Sequence, residues 1–298
     1  MLGLGIDGGG SATRWALCDE TGVAVDAGEL PGISGHLFNA PERARFADMV
    51  GALRARLGAA EIGALVAGIT GMSEPAVAAS LLSEALGVAA SRVQVRDDMW
   101  IAYHAVFAPG EGHIVYSGTG SIGVHVRADG TVLRVGGRGM LIDDGGSAFW
   151  IGRIALDLIW RRIDDDPDEG AKGRLAQALF FQIGDAGWDA TRAYVYGGGR
   201  ASVAALARAV ASADDEAARA ILHAAGAELA RMARSLARRA GKKPVALIGR
   251  AAALHPAILD GFRAAAPDLA VRLETPDAAI AAARLAITSC GARAPRAG

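Results

Sequence analysis

The 298-residue sequence contains almost no lysine. Of its 31 basic residues only three are lysines, and the first of them is Lys172. A Walker A phosphate-binding loop and a protein-kinase active site both depend on a lysine, so neither can lie in the N-terminal half of the chain. If that half binds phosphate, backbone amides and hydroxyl groups must make the contacts.

Cysteine is equally scarce, with only Cys18 and Cys290, far apart in the sequence. This excludes a disulfide scaffold, a CxxC redox pair and a thiolate zinc site. The six histidines never recur at the i, i+3 or i, i+4 spacing that places two imidazoles on one face of a helix. We therefore expect no helical metal-binding pair.

An excess of positive charge and a long apolar run are also missing. The formal net charge is −1, whereas a nucleic-acid partner requires a basic surface. Arg, Asp or Glu interrupts every alanine-rich stretch before the roughly 18 residues of a membrane span. The N-terminal sequence MLGLGIDGGG has no charged region of the kind that begins a signal peptide. We expect a cytoplasmic protein with neither nucleic acid nor membrane as a partner.

The periodicity of the apolar residues predicts two α/β domains, each with a mixed sheet, and a boundary near Pro109-Gly110. In the first half we predict strands at 2–7, 64–71 and 93–98, and helices at 41–58, 75–87 and after Asp98. In the second half we predict three strands within 113–137, followed by helices at 147–163, 170–183, 200–212 and 213–240. We predict further strands from 244 and at 269–274, and a closing helix. Tyr194–Gly199 is interpreted as a connection between helices.

Each half opens with a strand, a glycine-rich turn containing hydroxyl side chains, and a second strand. The first turn is Asp7-Gly8-Gly9-Gly10-Ser11-Ala12-Thr13 and the second is Ser117-Gly118-Thr119-Gly120-Ser121. Glycine amides can surround phosphate oxygens, and Asp7 could hold hydrated Mg²⁺. Either turn alone is equally consistent with a simple hairpin. Two such turns in matching contexts favour a nucleotide clamp.

Acidic pairs follow at two further positions. Asp97-Asp98 ends a strand, where a carboxylate can accept a proton from an attacking hydroxyl group or can cap the following helix. Asp143-Asp144 precedes the helix AFWIGRIAL and leaves the same two possibilities open. Gly249, after the apolar run VALI, would let the chain pass close to an adenine ring, although it also suits an ordinary strand-to-helix turn.

Together these segments resemble the N-acetylglucosamine kinase-like (BadF/BadG/BcrA/BcrD ATPase) family of the actin-like ATPase and sugar kinase superfamily. The resemblance runs over nearly the whole chain. It rests on GIDGGGSATRWAL, VRDDMWIA, SGTGSIG, GGRGMLIDDGGSAFWIG, VALIGRAAAL and TPDAAIAAARLA. The family also contains activator ATPases that bridge an iron–sulfur cluster through cysteines. Neither cysteine of this chain lies in such a motif, so that branch is not expected.

The resemblance implies two actin-like (ribonuclease H-like) domains with mixed five-stranded sheets around a central cleft. The N-terminal domain would comprise 1–112, joined by the last helix, 284–298. The C-terminal domain would comprise 113–283. The resemblance also implies a homodimer.

The implied activity is ATP-dependent phosphorylation of an amino sugar, N-acetylglucosamine or glucosamine, at the 6-hydroxyl group. Asp98 would be the general base, and Asp7 would hold Mg²⁺ through water. The nucleotide would be contacted by Asp7, Gly9, Gly10, Ser11, Thr13, Gly118, Thr119, Gly120 and Gly249. The sugar would be contacted by Asn39, Thr70, Gly71, Asp97 and Asp144.

Three segments depart from the family pattern. Asp97 replaces the usual Asn before the base, and a second carboxylate there should raise one pKa of the pair. In the GDEGS segment, Asp143 replaces Gly and Gly145 replaces Glu, while Arg250 replaces the second Gly of the adenosine motif. Loss of the Glu changes the expected hydrogen bonding of the sugar. The alternative function is therefore a catalytically weak sugar- or nucleotide-binding regulator, or an ATPase, of the same fold.

Overall fold

The computed structural model describes residues 1–291 of the chain, and their side chains as far as Thr288. The chain divides into two compact units. Unit 1 contains Met1–Phe107 together with the C-terminal segment that begins at Pro276, and unit 2 contains Ala108–Thr275. None of the described helices is both long enough and apolar enough to span a membrane.

Unit 1 is built on a five-stranded mixed sheet of order β3-β2-β1-β4-β5. Its strands are β1 (Leu2–Gly8), β2 (Ala12–Cys18), β3 (Ala24–Pro31), β4 (Ile62–Ile69) and β5 (Val93–Asp97). Its helices, numbered along the whole chain, are α1 (Ala40–Leu57), α2 (Pro75–Leu86), α3 (Asp98–His104) and α10 (Ala278–Gly291), with a short 3-10 turn at Ala90–Arg92. The first three strands are antiparallel, and β1, β4 and β5 are parallel, so the carboxyl ends of β1, β4 and β5 share one edge.

Helix α10 packs directly on the sheet of unit 1 because two glycines of β1 leave room for it. A Cβ atom at Gly3 or Gly5 would overlap the α10 backbone at Ala279 or Ala283. The chain returns to unit 1 at Pro276, and α10 starts at Ala278, earlier than the domain limit of 284 drawn from the sequence. The expected continuation of this helix to 298 lies partly outside the described residues.

Unit 2 repeats the same topology, with a five-stranded sheet of order β10-β9-β6-β7-β8. Its strands are β6 (His113–Ser117), β7 (Ser121–Val126), β8 (Val132–Gly136), β9 (Val245–Ile248) and β10 (Val271–Glu274). Its helices are α4 (Ala148–Asp165), α5 (Pro167–Gly170), α6 (Arg174–Ile183), α7 (Trp188–Ala213), α8 (Glu216–Ala240) and α9 (Pro256–Ala265). Helices α4 and α6–α9 share one apolar core with β6 and β9. The predicted fold class, with a mixed five-stranded sheet in each half, is confirmed.

The helical region of unit 2 differs from the prediction in two places. The segment 170–183 is not one helix, because Gly173 separates α5 from α6 and occupies the position before the first turn of α6. The expected connection at Tyr194–Gly199 is wrong, since these residues lie within α7. Only Gly199 departs from helical geometry, with φ 59° and ψ −143°, and this residue breaks α7 into two segments.

Candidate active site

The first glycine loop joins β1 to β2 and leaves its tip accessible. The amide of Gly9 donates to the carbonyl of Ala12 at 3.0 Å, which closes the turn. Gly10 and Ser11 are exposed, and a Cβ atom at Gly10 would meet no atom within 4 Å. The hydroxyl of Thr13, by contrast, is buried and donates to the carbonyl of Pro31 at 2.9 Å. The structure thus presents Gly9, Gly10 and Ser11 at the loop and uses the Thr13 hydroxyl to join two strands.

Asp7 stands at the end of β1, immediately before this loop. Burial raises the pKa of its carboxyl group, and the charge of Asp277 raises it further. The guanidinium of Arg14, its partner in β2, acts in the opposite direction. A partly buried carboxylate that lacks a full counter-charge is a suitable place for a hydrated cation.

The two acids where β5 meets α3 make different contacts. Asp97 is the residue before α3, and its carboxylate accepts a hydrogen bond from the amide of Met99 at 3.1 Å. Asp98 begins the helix, and its carboxylate is bonded to the side chain of Thr70 and to the Met99 amide, the latter at 2.9 Å. The sequence leaves open whether these acids cap helix α3 or act as a base. In the structure, Asp97 caps the helix.

Burial raises the pKa of Asp98 to about 7, and the negative charges of Asp97 and Asp7 contribute in the same direction. The expectation that Asp97 raises one pKa of the pair is confirmed. Helix α3 reaches this position because Gly68 has no side chain: a Cβ atom there would overlap Ile101 and lie 3.2 Å from the Asp98 Cα atom. A carboxyl group with a pKa close to neutrality is suited to proton exchange at physiological pH.

The loop that carries Asn39 is attached to the same edge of the sheet. The amide of Gly35 donates to the carbonyl of Thr70, and the amide of Thr70 donates to the carbonyl of Gly8, each at 2.8 Å. Asn39 is exposed at the start of α1, and its side chain makes no capping hydrogen bond. The structure therefore brings the predicted sugar residues Thr70 and Gly71 to the sheet edge that holds Asp98, and Asn39 lies four residues after Gly35, in the loop attached to Thr70.

The sequence analysis missed His36 in this loop. Gly71 has φ 65°, and a Cβ atom there would lie 2.8 Å from Nε2 of His36, so the imidazole packs against the backbone of Gly71. The side chain remains exposed. A histidine directly after Gly35, in the segment GISGHLF, is the signal that could have identified it.

The second glycine loop, between β6 and β7, is fixed by its own hydroxyl groups. The Ser117 and Ser121 side chains donate to the carbonyls of Gly146 and Gly145, each at 2.8 Å. The amide of Ala148, in the first turn of α4, donates to the carbonyl of Gly118 at 2.9 Å. The side chain of Thr119 is exposed at the tip. The loop is thus attached to the start of α4.

Asp144 is buried beside this loop and does not cap α4, since Ser147 does so by accepting from the amide of Trp150 at 3.1 Å. Asp144 has φ 69°, and its Oδ1 atom accepts from the amide of Ser121 at 3.2 Å. Its Oδ2 atom pairs with Nη2 of Arg200 at 2.7 Å. Both carboxylate oxygens of this predicted sugar residue therefore have partners within unit 2.

The adenosine motif after β9 is joined to the second glycine loop. Gly249 has φ 100°, and a Cβ atom there would overlap the carbonyl oxygen of Ser117. The amide of Ala251 donates to the same oxygen at 3.0 Å. The predicted helix start directly after Gly249 is wrong, since residues 250–254 form turns and α9 begins at Pro256. Gly249 is required here for both its conformation and its small size.

The position that lacks the family glutamate is not empty. A Cβ atom at Gly145 would lie 2.6 Å from Oε2 of Glu228, a residue of α8. That oxygen also pairs with Nε of Arg231 at 3.0 Å, and Arg231 pairs with Asp143 at 3.3 Å. A carboxylate from another helix therefore occupies the space beside residue 145.

Among the described residues, no group of three or more His, Cys, Asp or Glu side chains could hold a metal ion by itself.

Residues 4–258 match the BadF/BadG/BcrA/BcrD ATPase family, and the chain belongs to this family. It is similar to the solved structure of a proposed N-acetylglucosamine kinase from Chromobacterium violaceum, with 27% identity, TM-score 0.73, and coverage of 96% of this chain and 98% of that chain. A second proposed N-acetylglucosamine kinase, from Porphyromonas gingivalis, is 18% identical with TM-score 0.73, covering 96% and 99% of the two chains.

The fold is shared more widely. A ROK family glucokinase from Streptomyces griseus, solved with glucose and AMPPNP, is 14% identical with TM-score 0.59, covering 96% of this chain and 99% of that chain. No curated protein matches the sequence. The predicted family and the actin-like fold are confirmed by these similarities.

Proposed function

We propose that this protein transfers the terminal phosphate of ATP to an amino sugar, N-acetylglucosamine or glucosamine, at the 6-hydroxyl group. The observation that carries the proposal is the environment of Asp98. It is a buried carboxyl group with a pKa of about 7, bonded to Thr70 at the sheet edge that also carries the first glycine loop. The family match and the likeness to the Chromobacterium violaceum protein support a sugar as the acceptor.

The chemistry assigned to Asp98 is proton removal. Near pH 7 about half of the Asp98 side chains are ionised, because the pKa of this group is about 7. The ionised carboxylate accepts the proton of the sugar hydroxyl while the hydroxyl oxygen forms a bond to the γ-phosphorus and the bond from that phosphorus to the β,γ-bridging oxygen breaks. ADP leaves with the electron pair of the broken bond, and Asp98 later releases its proton to solvent.

The two glycine loops are assigned to the nucleotide. In unit 1, we assign Gly9, Gly10 and Ser11 to the phosphates: the Gly9 amide closes the turn by donating to Ala12, and the amides of Gly10 and Ser11 are the donors at the exposed tip. In unit 2, we assign Gly118, Thr119 and Gly120 to the phosphates and Gly249 to the edge of the adenine. Asp7 would hold hydrated Mg²⁺, which neutralises phosphate charge when it is bound. Thr13 supports the loop through its bond to Pro31, and direct contact with phosphate remains a prediction.

The sugar is assigned to the loop with Asn39 and to the turn at Thr70-Gly71, beside Asp98. Asp97 acts on the sugar site through the charge it places near Asp98. Asp144 is already paired on both oxygens, so a sugar contact would be an additional hydrogen bond to one of them. A homodimer and a cytoplasmic location remain predictions.

One observation favours the alternative function, a catalytically weak binding protein of the same fold. The carboxylate beside residue 145 comes from Glu228 of α8 and is paired with Arg231. If the family glutamate is needed to orient the sugar, this substitute carboxylate would support binding without efficient transfer.

The deciding experiment measures ADP release from ATP and Mg²⁺ in the presence of N-acetylglucosamine, glucosamine, N-acetylmuramic acid and neutral hexoses. We expect a turnover of roughly 1–100 s⁻¹ with one amino sugar. Nuclear magnetic resonance of the product then identifies the phosphorylated hydroxyl. ATP binding without sugar-dependent ADP release across the whole panel would refute the kinase and leave the regulator.

A further inference from the structure

Arg200 lies against the second glycine loop, although 80 residues separate it from Gly120. A Cβ atom at Gly120 would overlap Nη2 of the Arg200 guanidinium, so the charged group occupies the space beside the loop backbone. Gly199, whose non-helical conformation breaks α7, immediately precedes Arg200. The helix therefore restarts at the residue that reaches the loop.

The arginine is held in place by a buried carboxylate. The Asp144 side chain is 3% exposed, and its Oδ2 atom lies 2.7 Å from Nη2 of Arg200. Its other oxygen accepts from the amide of Ser121, the residue that follows Gly120. Because the Asp144 carboxylate is buried, removal of Arg200 would leave its charge without a partner. Asp144 thus fixes both the loop and the cation beside it.

The guanidinium has capacity for a ligand. Arg200 remains 41% exposed. A guanidinium has five N–H donors, and the contact with Asp144 uses one amino group, Nη2. The hydroxyl groups of Ser117 and Ser121 already donate hydrogen bonds to the carbonyls of Gly146 and Gly145. Arg200 is therefore a partly exposed cation at this loop with N–H donors that its contact with Asp144 does not use.

We propose that Arg200 is the phosphate-binding cation of the second glycine loop and that Asp144 is its positioning residue. The ligand group is the polyphosphate of a nucleotide, which carries several negative charges that glycine amides alone do not neutralise. An arginine matches phosphate oxygens with two parallel N–H donors, and it replaces the lysine that the first 171 residues lack. The inference rests on the nucleotide site of the proposed function.

The test is calorimetric titration of the full-length protein with ATP, ADP and adenosine. Arg200→Gln should weaken ATP and ADP binding by 10- to 100-fold and leave adenosine binding unchanged, since adenosine has no phosphate. It should also reduce the dependence of ATP affinity on salt concentration. Arg200→Lys, which keeps the charge, should recover part of the affinity. Arg208→Gln, an exposed arginine on the same helix, is the matched control.

Arg200→Gln leaves Asp144 buried without its cation, and this variant could fail to fold for that reason. The double variant Arg200→Gln/Asp144→Asn removes both charges and is measured in parallel. If the single variant does not fold, the double variant provides the comparison of ATP affinity with the wild type. Unchanged ATP affinity in the folded variant, with ATP bound normally by the wild type, would overturn the inference alone. An equal loss for ATP and adenosine would also overturn it, because the role would then be structural. A wild type that binds none of the three ligands would refute the nucleotide site itself, and with it both proposals.

Discussion

Units 1 and 2 place the same strand–glycine turn–strand motif at the same point of the same sheet topology, and they support it differently. In unit 1 the tip of the loop is open, and the charged groups nearby include the carboxylates of Asp7 and Asp98 as well as the guanidinium of Arg14. In unit 2 neighbouring atoms would overlap an added Cβ at Gly118, Gly120 and Gly249, and an arginine lies alongside.

A glycine in such a motif can therefore be required for opposite reasons. At Gly10 its absence of a side chain leaves the backbone accessible. At Gly249 the same absence lets two segments of the protein touch. The chemistry is divided accordingly: we assign proton transfer to the acidic unit and charge neutralisation of the nucleotide to the unit with the arginine.

The largest expected effect is on turnover. Asp98→Ala should reduce the rate of sugar phosphorylation by about 100- to 10,000-fold, the usual contribution of a general base. The affinity for ATP should stay unchanged, because the assigned nucleotide contacts are elsewhere. Steady-state kinetics and calorimetry measure the two quantities. Asp48→Asn, on the exposed surface of α1, is the control, and wild-type turnover in Asp98→Ala would remove Asp98 from the mechanism.

The same residue should make unit 1 less stable at high pH. The pKa of Asp98 is about 7 in the folded protein and 3.8 for an unperturbed aspartate side chain. The protonated carboxyl group therefore stabilises the folded protein at low pH, and this stability is lost as the pH rises from 3.8 through about 7. Asp98→Asn should therefore raise the free energy of unfolding at pH 8, by at most about 4 kcal/mol. The gain should disappear near pH 4. Thermal melting at both pH values provides the measurement, and equal gains at both would contradict the assigned cause.

Two matched substitutions separate the open loop from the packed one. Gly249→Ala should lower the free energy of unfolding by about 1–3 kcal/mol, because it forces a side chain into a left-handed conformation against the Ser117 carbonyl. Gly10→Ala should change it by less than about 0.5 kcal/mol, the range of ordinary surface substitutions. Chemical denaturation of both variants tests the contrast. Similar losses would show that the two loops are supported alike.

The smallest expected effect is a displacement of the pH profile. Asp97→Asn keeps an acceptor for the amide of Met99 but removes the negative charge that raises the pKa of Asp98. The rising limb of kcat/KM, expected near pH 7 in the wild type, should move to lower pH by up to about one unit. A profile that keeps its position would mean that burial and the charge of Asp7 set the pKa without Asp97.

The sequence predicted those features that depend on local pattern. The two glycine turns, the strands on either side of them and the mixed sheets are found as expected, because alternating apolar residues and glycine breaks determine them within a few positions. The second carboxylate at Asp97 also had the expected consequence, since two adjacent acids interact wherever the strand ends.

Long-range contacts escaped prediction. The bond from Thr13 to Pro31 and the pairing of Arg200 with Asp144 depend on strand register and on the path of α7, which no local pattern specifies. The three glycines before Arg200 suggested a connection, but the helix continues through Gly197 and Gly198, and Gly199 alone breaks it. Low helix propensity alone therefore did not determine where the helix breaks. The scarcity of lysine was the one available hint that an arginine would be needed.

The position of α10 has a consequence for the order in which the protein is made. Unit 2 is one continuous stretch of chain, whereas the sheet of unit 1 has Gly3 and Gly5 covered by a helix that is synthesised after unit 2. During translation, the residues of unit 2 are all available for folding before the ribosome has produced the helix that covers β1. Unit 1, whose strands are synthesised before unit 2, is therefore completed after it.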